Sequence, residues 1–246
     1  MKEDKSVTAK VQSWVTRITE STLPVDISWV STPSFTSKSG SHWYSVHYRE
    51  FPMAVRPPDP MNPRNLVVES KSKTLHFGTR QELDKLARDM FRPVRREDLT
   101  DFALDWLRVS SVFSQDGFFE FQFKKFNIKV KDAGRACQVD AESPVVEKAG
   151  DTGKLRCTLS FNLTDEGYVL VSVKDDDTVV PGIRPICQAT LLLDQNPKVR
   201  KIAERDLLVM GRAALVYLEE QRTHATGDLR KEIERVIKKV RRGERL

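Results

Sequence analysis

The spacing of apolar residues changes near residue 117, and this change limits the fold more than any other feature of the chain. Before it, apolar side chains recur every three or four residues, which is the period of a helix. The stripe consists of Leu99, Phe102, Ala103, Trp106, Val109 and Phe113. After it, five stretches alternate with period two, namely FFEFQF, NIKVK, RACQVDAE, GKLRCTLSFNL and GYVLVSVKD. One helix followed by antiparallel strands predicts an α+β fold in which a sheet curls around the helix.

This order of elements over residues 79–176 resembles the cystatin-like and nuclear-transport-factor-like cone folds. The resemblance implies a pocket between the curled sheet and its helix, and the candidate pocket wall consists of Trp106, Phe113, Phe119 and Phe121. The alternative, which the residue types favour, is that these rings fill an ordinary core. A pocket of this kind contains no convergent acid and base, so it suits small-molecule binding, or at most weak enzymatic activity.

The chain becomes helical after residue 181, and one stretch carries a spaced pattern. Its members are Asp194, Pro197, Val199, Arg200, Ala203, Leu207 and Gly211, followed by AALVYLEEQ. Asn196 is a favourable cap, Pro197 suits a first helical position, and Gly211 permits a tight reversal. The stripe expected on the inner face is Val199, Ile202, Ala203, Leu207 and Met210.

This pattern resembles one unit of a HEAT repeat, over roughly residues 183–240. Solenoids bury their apolar faces by stacking several units, so a single hairpin needs another surface. That surface is the α+β part, which we expect, or another protein or a second copy of the chain. HEAT-like units mostly act as scaffolds, and the resemblance therefore implies a non-catalytic protein-interaction or scaffolding role for the helical C-terminal region.

The last predicted helix has an apolar seam and a basic back. Leu229, Ile233, Val236, Ile237 and Val240 form the seam, and Lys231, Arg235, Lys238 and Arg242 form the candidate interaction surface on the opposite side. Residues 197–246 hold 14 of the 41 basic and 8 of the 35 acidic residues, which leaves 27 of each elsewhere. A solvated helix face explains this excess most simply. Nucleic-acid binding is a second alternative, and it would be non-specific because no aromatic side chains interleave with the cations.

The sequence divides into three predicted regions. Residues 1–64 comprise an amphipathic helix, strands and a proline-rich linker, since residues 52–65 contain five prolines. Residues 65–180 form the sheet-and-helix domain, and residues 181–246 form the HEAT-like helical region. The stretch TSKSGS is predicted to be a turn between two strands.

No arrangement of reactive side chains identifies an active site. Asp101 and Asp105 share a helix face and are interpreted as surface charge, and residues 175–177 are interpreted as a solvated turn. His42 and His47 lie five apart in a strand, which directs them to opposite faces. We therefore predict no catalytic residue, no metal and no cofactor, and whether the chain is an enzyme stays open.

Cysteine usage and the N-terminus favour a cytoplasmic protein. Three widely spaced cysteines, Cys137, Cys157 and Cys187, do not form a metal or redox motif and are expected to be buried thiols. A Cys137 to Cys157 disulfide between neighbouring strands is the alternative. No stretch has the length of a membrane span, and the first residues lack the apolar core of a signal peptide, although a removed signal sequence stays open.

Overall fold

The computed structural model describes residues 4–21, 25–48, 58–71, 73–90, 94–115, 119–146, 150–182 and 185–243. The helices are α1 (Lys5–Thr19), α2 (Pro33–Ser39), α3 (Arg80–Met90), α4 (Leu99–Ser111), α5 (Pro185–Leu191), α6 (Pro197–Met210), α7 (Leu215–His224) and α8 (Gly227–Arg242). The strands are β1 (Val25–Val30), β2 (His42–Tyr48), β3 (Arg64–Glu69), β4 (Thr74–Phe77), β5 (Glu120–Phe121), β6 (Ile128–Ala133), β7 (Ala136–Val146), β8 (Lys154–Thr164) and β9 (Gly167–Asp177).

The first four strands form one antiparallel sheet in the order β1-β2-β3-β4. Its outer face packs under helix α1, where Val11 and Val15 share a core with Tyr44 and Val46. Its inner face belongs to the main core through Trp43 and neighbouring strand residues. Because a helix or the main core covers each face, successive residues of β2 and β3 are buried in both directions.

The first sheet continues across the predicted boundary between residues 64 and 65. Strand β3 begins at Arg64 and pairs with β2 from His47 to His42. The proline-rich segment is a connection between adjacent strands of one sheet, and its first part lies outside the described residues. In its described part Met61 is buried, and the backbone carbonyl of Pro63 accepts a hydrogen bond from Tyr48 N at 2.9 Å. Because proline has no backbone N–H to donate to a neighbouring strand, this proline-rich segment interrupts the pairing of strands without ending the domain.

The second sheet confirms the α+β prediction. Its strands are antiparallel in the order β5-β7-β8-β9, with β6 also pairing with β7. A register shift between Ser160 and Phe161 marks an irregularity of the kind that bends a strand, and the sheet curls around α4. Phe102 and Trp106 of α4 are fully buried against it. Helix α4 thus lies between the inner face of the first sheet and the concave face of the second.

Helix α2 occupies the stretch that the sequence predicts as a turn. Pro33 begins it and Gly40 ends it with a φ of 66°. Its own preceding residue provides no side-chain cap. Instead the buried carboxylate of Asp105 accepts the backbone N–H groups of Ser34 at 2.6 Å and Phe35 at 3.1 Å. The interpretation of Asp105 as surface charge is wrong, because a distant part of the chain uses it to cap α2.

Residues 175–177 are not a solvated turn either, since they form the end of strand β9. The carboxylate of Asp175 accepts hydrogen bonds from Trp106 Nε1 at 3.1 Å and Ser110 Oγ at 2.6 Å. Burial raises the pKa of Asp175, although these hydrogen bonds act in the opposite direction. The side chain of Asp177 bonds to Ser114 at 2.8 Å and Arg80 at 2.9 Å. These contacts attach β9 to α4 and α3.

Helices α5 to α8 form a unit with a core of its own. Its buried residues include Ala203, Leu207, Leu218 and Val236. Helices α5 and α8 both pack against α6 and α7. Neighbouring helices of the same chain therefore cover the apolar faces of the α6-α7 hairpin, which was expected to dock on the α+β part. The α6-α7 hairpin is closed by the two helices that flank it.

The Asp105 cap predicts an unusual dependence of stability on pH. Burial raises the pKa of Asp105 from 3.8 to about 6. A carboxyl group whose pKa is raised by folding stabilises the fold fully below its unfolded pKa, and this contribution is lost as the pH rises through the folded pKa. The quantity to measure is the stability advantage of the parent chain, which is its unfolding free energy minus that of Asp105→Asn. This advantage should fall by about 2 to 3 kcal/mol between about pH 4 and pH 7. Urea titrations at a series of pH values measure it.

The matched control is Asp101→Asn, which removes a carboxylate one helical turn away without touching the α2 amides. A fall of the same size with Asp101→Asn would assign the effect to the charge of the whole α4 surface. A difference for Asp105→Asn that stays constant over this pH range would contradict the prediction.

Candidate interaction surface

The start of helix α6 is fixed by local hydrogen bonds. Asn196 caps it by accepting the backbone N–H of Lys198 at 2.9 Å, and Pro197 takes the first helical position. Asp194 accepts the backbone N–H of Asn196 at 2.8 Å, and Arg200 Nη1 donates to the backbone carbonyl of Asp194 at 2.6 Å. This network sets the entry of the chain, and hence which side chains of α6 face outward.

The inner face of α6 carries Ala203, Leu207 and Met210, which are buried as their spacing predicts. Ile202 does not belong to that face, because its side chain is 48% exposed. Val209, one heptad later, is 56% exposed. Residues seven apart lie on the same side of a helix, so both aliphatic side chains point away from the core in one direction.

Ile202 and Val209 are part of a stripe that we name the α6 outer face, which consists of Lys198, Ile202, Arg205 and Val209. The intervals of four, three and four residues place all four on one side of the helix. Lys198 is exposed and forms no ion pair with any described residue. The guanidinium of Arg205 is more than half exposed and bonds to the neighbouring Asp206 at 2.9 Å. Cations thus alternate with aliphatic side chains along α6.

The residues predicted to form a basic surface on α8 have different surroundings. Lys231 pairs with Asp228 at 2.9 Å and is highly exposed. Arg235 was expected to face solvent, but it is half-buried and donates two hydrogen bonds to Glu204 of α6, at 2.6 and 2.8 Å. Lys238 is exposed and has no ionic partner among the described residues, and Arg242 is also exposed. Arg235 is thus engaged in an ion pair between two helices, although part of its side chain stays exposed.

Glu204 is the anion that joins α6 to α8. It also accepts Lys239 Nζ at 2.7 Å, and these cations lower its pKa to about 2, mainly through the hydrogen bonds from Arg235. The same contact raises the pKa of Arg235. Because Glu204 holds two cations, it offsets much of the positive charge that the sequence assigns to this part of α8.

A groove of about 390 Å³ lies between the first turns of α6 and α8. Lys231 and Arg235 line it together with Leu192 and Leu193, the latter 46% exposed. Its α6 wall consists of residues on the side of Glu204, so it opens on a different side of α6 from the α6 outer face. Ion pairs occupy five of its charged groups, namely Glu204, Asp228, Lys231, Glu232 and Arg235. Arg200 donates to backbone carbonyls instead, and Lys201 forms no ion pair with a described residue.

The predicted aromatic wall lies in the main core. Trp106, Phe119 and Phe121 are buried, and Phe113 is partly buried against the same cluster. The rings of Phe119 and Phe121 meet edge to face with centroids 5.3 Å apart. None of these four side chains lines the cavities that we describe in this chain.

A larger cavity, of about 760 Å³, opens between α2 and α4 and is lined mainly by charged side chains. Asp101 and Asp105 both line it, together with Arg108, and the sequence analysis did not identify this site. The sequence signal that was available is the charge of these three positions on one helix. It could not show that α2, seventy residues earlier, covers them.

The described residues contain no group of three or more His, Cys, Asp and Glu side chains placed to hold a metal ion. Cys137 and Cys157 are buried free thiols, and burial raises the pKa of Cys157 well above its usual value. The alternative disulfide is not formed, because the register places Cys137 opposite Phe161 and Cys157 opposite Ala141. No helix within the described ranges has both the length and the apolar character to cross a bilayer.

Comparisons with known proteins found no matching family model, no matching curated protein and no matching solved structure. The HEAT-like pattern and the cone-like order of elements therefore stay resemblances that rest on the residues quoted above.

The Glu204 cluster predicts how the helical unit responds to mutation and pH. A carboxylate whose pKa is lowered on folding stabilises the fold above its unfolded pKa, and this contribution is lost as the pH falls toward the folded pKa. Glu204→Gln should therefore lower the unfolding free energy of the helical unit by about 1 to 2 kcal/mol at neutral pH, with the loss shrinking below about pH 4. Urea unfolding followed by helical circular dichroism measures it.

Glu234→Gln is the matched control, because Glu234 forms one exposed ion pair within α8, with Arg230 at 3.3 Å. We expect this control to change stability by less than about 0.5 kcal/mol. Equal effects of the two substitutions would show that the contact between α6 and α8 contributes nothing beyond ordinary surface pairing.

Proposed function

We propose that this chain is a non-catalytic interaction protein whose C-terminal helical unit binds an acidic, amphipathic segment of another protein. The observation that carries the proposal is the α6 outer face, where Ile202 and Val209, each about half exposed, alternate with the cations Lys198 and Arg205. A partner helix with leucine-like side chains flanked by Glu or Asp complements this stripe in both shape and charge.

The closed core of the helical unit supports this assignment. Because α5 and α8 already cover the hairpin, the fold does not require Ile202 and Val209 to be apolar. Covering the exposed half of each side chain contributes roughly 1 kcal/mol, which is a modest gain for a single contact. The cations raise the rate of association with an acidic partner and disfavour the binding of basic partners.

The same stripe argues against the other partners that the sequence leaves open. A second copy of the chain meeting this face would bring four cations, Lys198 and Arg205 of each copy, into one interface where the stripe itself has no carboxylate to offset them, which costs energy. A nucleic acid would use the cations but would gain nothing from aliphatic side chains, since bases stack on aromatic rings. A protein segment uses both kinds of residue.

The test places a photo-crosslinking amino acid at Ile202 or at Val209 of the full chain, in the cells that express it. Both positions should capture the same protein, at a site within an acidic amphipathic segment identified by mass spectrometry. The charge-reversed variant Lys198→Glu with Arg205→Glu should reduce the yield about tenfold or more. Purified chain titrated with a synthetic peptide of the captured segment should reproduce this loss.

Val171 on β9 is the matched control position, because its side chain is 42% exposed but lies on the second sheet. Capture of the same protein from Val171 in equal yield would reject the α6 outer face as the binding surface. Crosslinks from Ile202 to a second copy of the chain, or to nucleic acid, would also overturn the proposal.

A further inference from the structure

The cavity between α2 and α4 has four walls made of separate parts of the chain. Helix α2 provides Lys38 and helix α4 provides Asp101, Asp105 and Arg108. The 3-10 turn Arg96–Asp98, which precedes α4, provides Asp98, and the 3-10 turn Lys125–Asn127 provides Lys125. Its volume of about 760 Å³ is within the range of small-molecule sites. We name it the α2-α4 cleft.

Arg108 is the cation that this cleft holds most firmly. Its Nη1 donates to Asp105 Oδ1 at 2.8 Å, and its guanidinium carbon lies 5.9 Å from the centre of the Phe123 ring. Only 24% of its side chain is exposed. A buried carboxylate that orients an arginine from behind lowers the entropy that the arginine loses when it binds a ligand.

The remaining donors of Arg108 have no hydrogen-bond partner among the described residues. Within the part of the chain that the structure describes, Nη1 is the guanidinium nitrogen that is bonded, and the Nε and Nη2 groups are available to a ligand in the cleft. Two neighbouring N–H groups of a guanidinium match two oxygens of a carboxylate or phosphate. The geometry of the Arg108 side chain thus favours a ligand that presents two such oxygens.

The charges around Arg108 agree with an anionic ligand. Four basic and three acidic side chains line the cleft. Asp98 is already bonded to Lys38 at 3.3 Å and to Arg95 at 3.2 Å, and Asp101 is bonded to Lys125 at 2.5 Å. Asp105 also accepts the two α2 amides. Each carboxylate of the cleft already has a partner within the protein. The unused N–H donors of Arg108 are therefore left for a ligand.

We propose that the α2-α4 cleft binds a small organic oxyanion, a carboxylate or a phosphate, through the Nε and Nη2 groups of Arg108, with Lys38 on the opposite wall. This site is separate from the α6 outer face. It gives the chain a ligand that is independent of any protein partner.

The test uses the full chain, nitrogen-15 labelled, with inorganic phosphate and sodium acetate as two separate probes at constant ionic strength and pH. The Arg108 Nε–Hε resonance and the backbone amides of α2 should shift and saturate with at least one probe. The stronger probe distinguishes a phosphate site from a carboxylate site. Arg108→Gln should weaken the saturating interaction about tenfold, because it removes charge-assisted hydrogen bonds.

Lys38→Gln is the second variant, since it leaves the Asp105–Arg108 pair intact and Asp98 keeps its bond to Arg95. It should weaken binding without altering the folded spectrum. The control is Arg156→Gln, which removes an exposed cation from the second sheet and should leave the affinity unchanged. Equal weakening by Arg156→Gln, or shifts that never saturate with either probe, would overturn the proposal.

Discussion

Burial of helix α4 on nearly every side determines the arrangement of the α+β part. The ring centroid of Phe102 lies 5.0 Å from that of Phe35 in α2 and 5.6 Å from that of Phe161 in β8. One ring therefore joins elements from both halves of the core. Trp106 fills the next turn and uses its indole nitrogen to bond Asp175 of β9. A surface helix buries one stripe, but α4 buries almost its whole circumference in a core to which both sheets contribute side chains.

A helix buried in this way must also satisfy its polar side chains internally. Ser110 does so with Asp175, and Asp105 does so with the backbone of α2 and with Arg108. The second solution has a consequence for function. The Asp105 carboxylate accepts hydrogen bonds from two helix amides as well as from Arg108. Arg108 therefore keeps unused donors at the edge of a cavity. The same packing constraint that builds the core therefore produces the cleft.

Local patterns predicted much of the fold, and long-range contacts account for what they missed. The strands from β5 to β9 and helix α4 follow from the periodicity of apolar residues within each segment. Asp101 and Asp105 look alike in sequence, since both are acidic residues on one helix face. Asp105 is buried only because α2 lies over it, and α2 is itself stabilised by that carboxylate. No local rule separates two residues whose difference arises from a tertiary contact.

The same distinction applies to the candidate surfaces. Arg235 has the spacing of a solvent-facing cation, but Glu204 of another helix converts it into an interhelical contact. Ile202 is apolar, as core residues usually are, but its position around the axis of α6 places it on the exposed side of the helix. Helices α5 and α8 remove the need for any partner in folding, so the aliphatic side chains left on the α6 outer face have no role in closing the unit. The proposal that the α6 outer face binds a partner rests on these two side chains, which lie outside the core of the unit and alternate with cations along the helix.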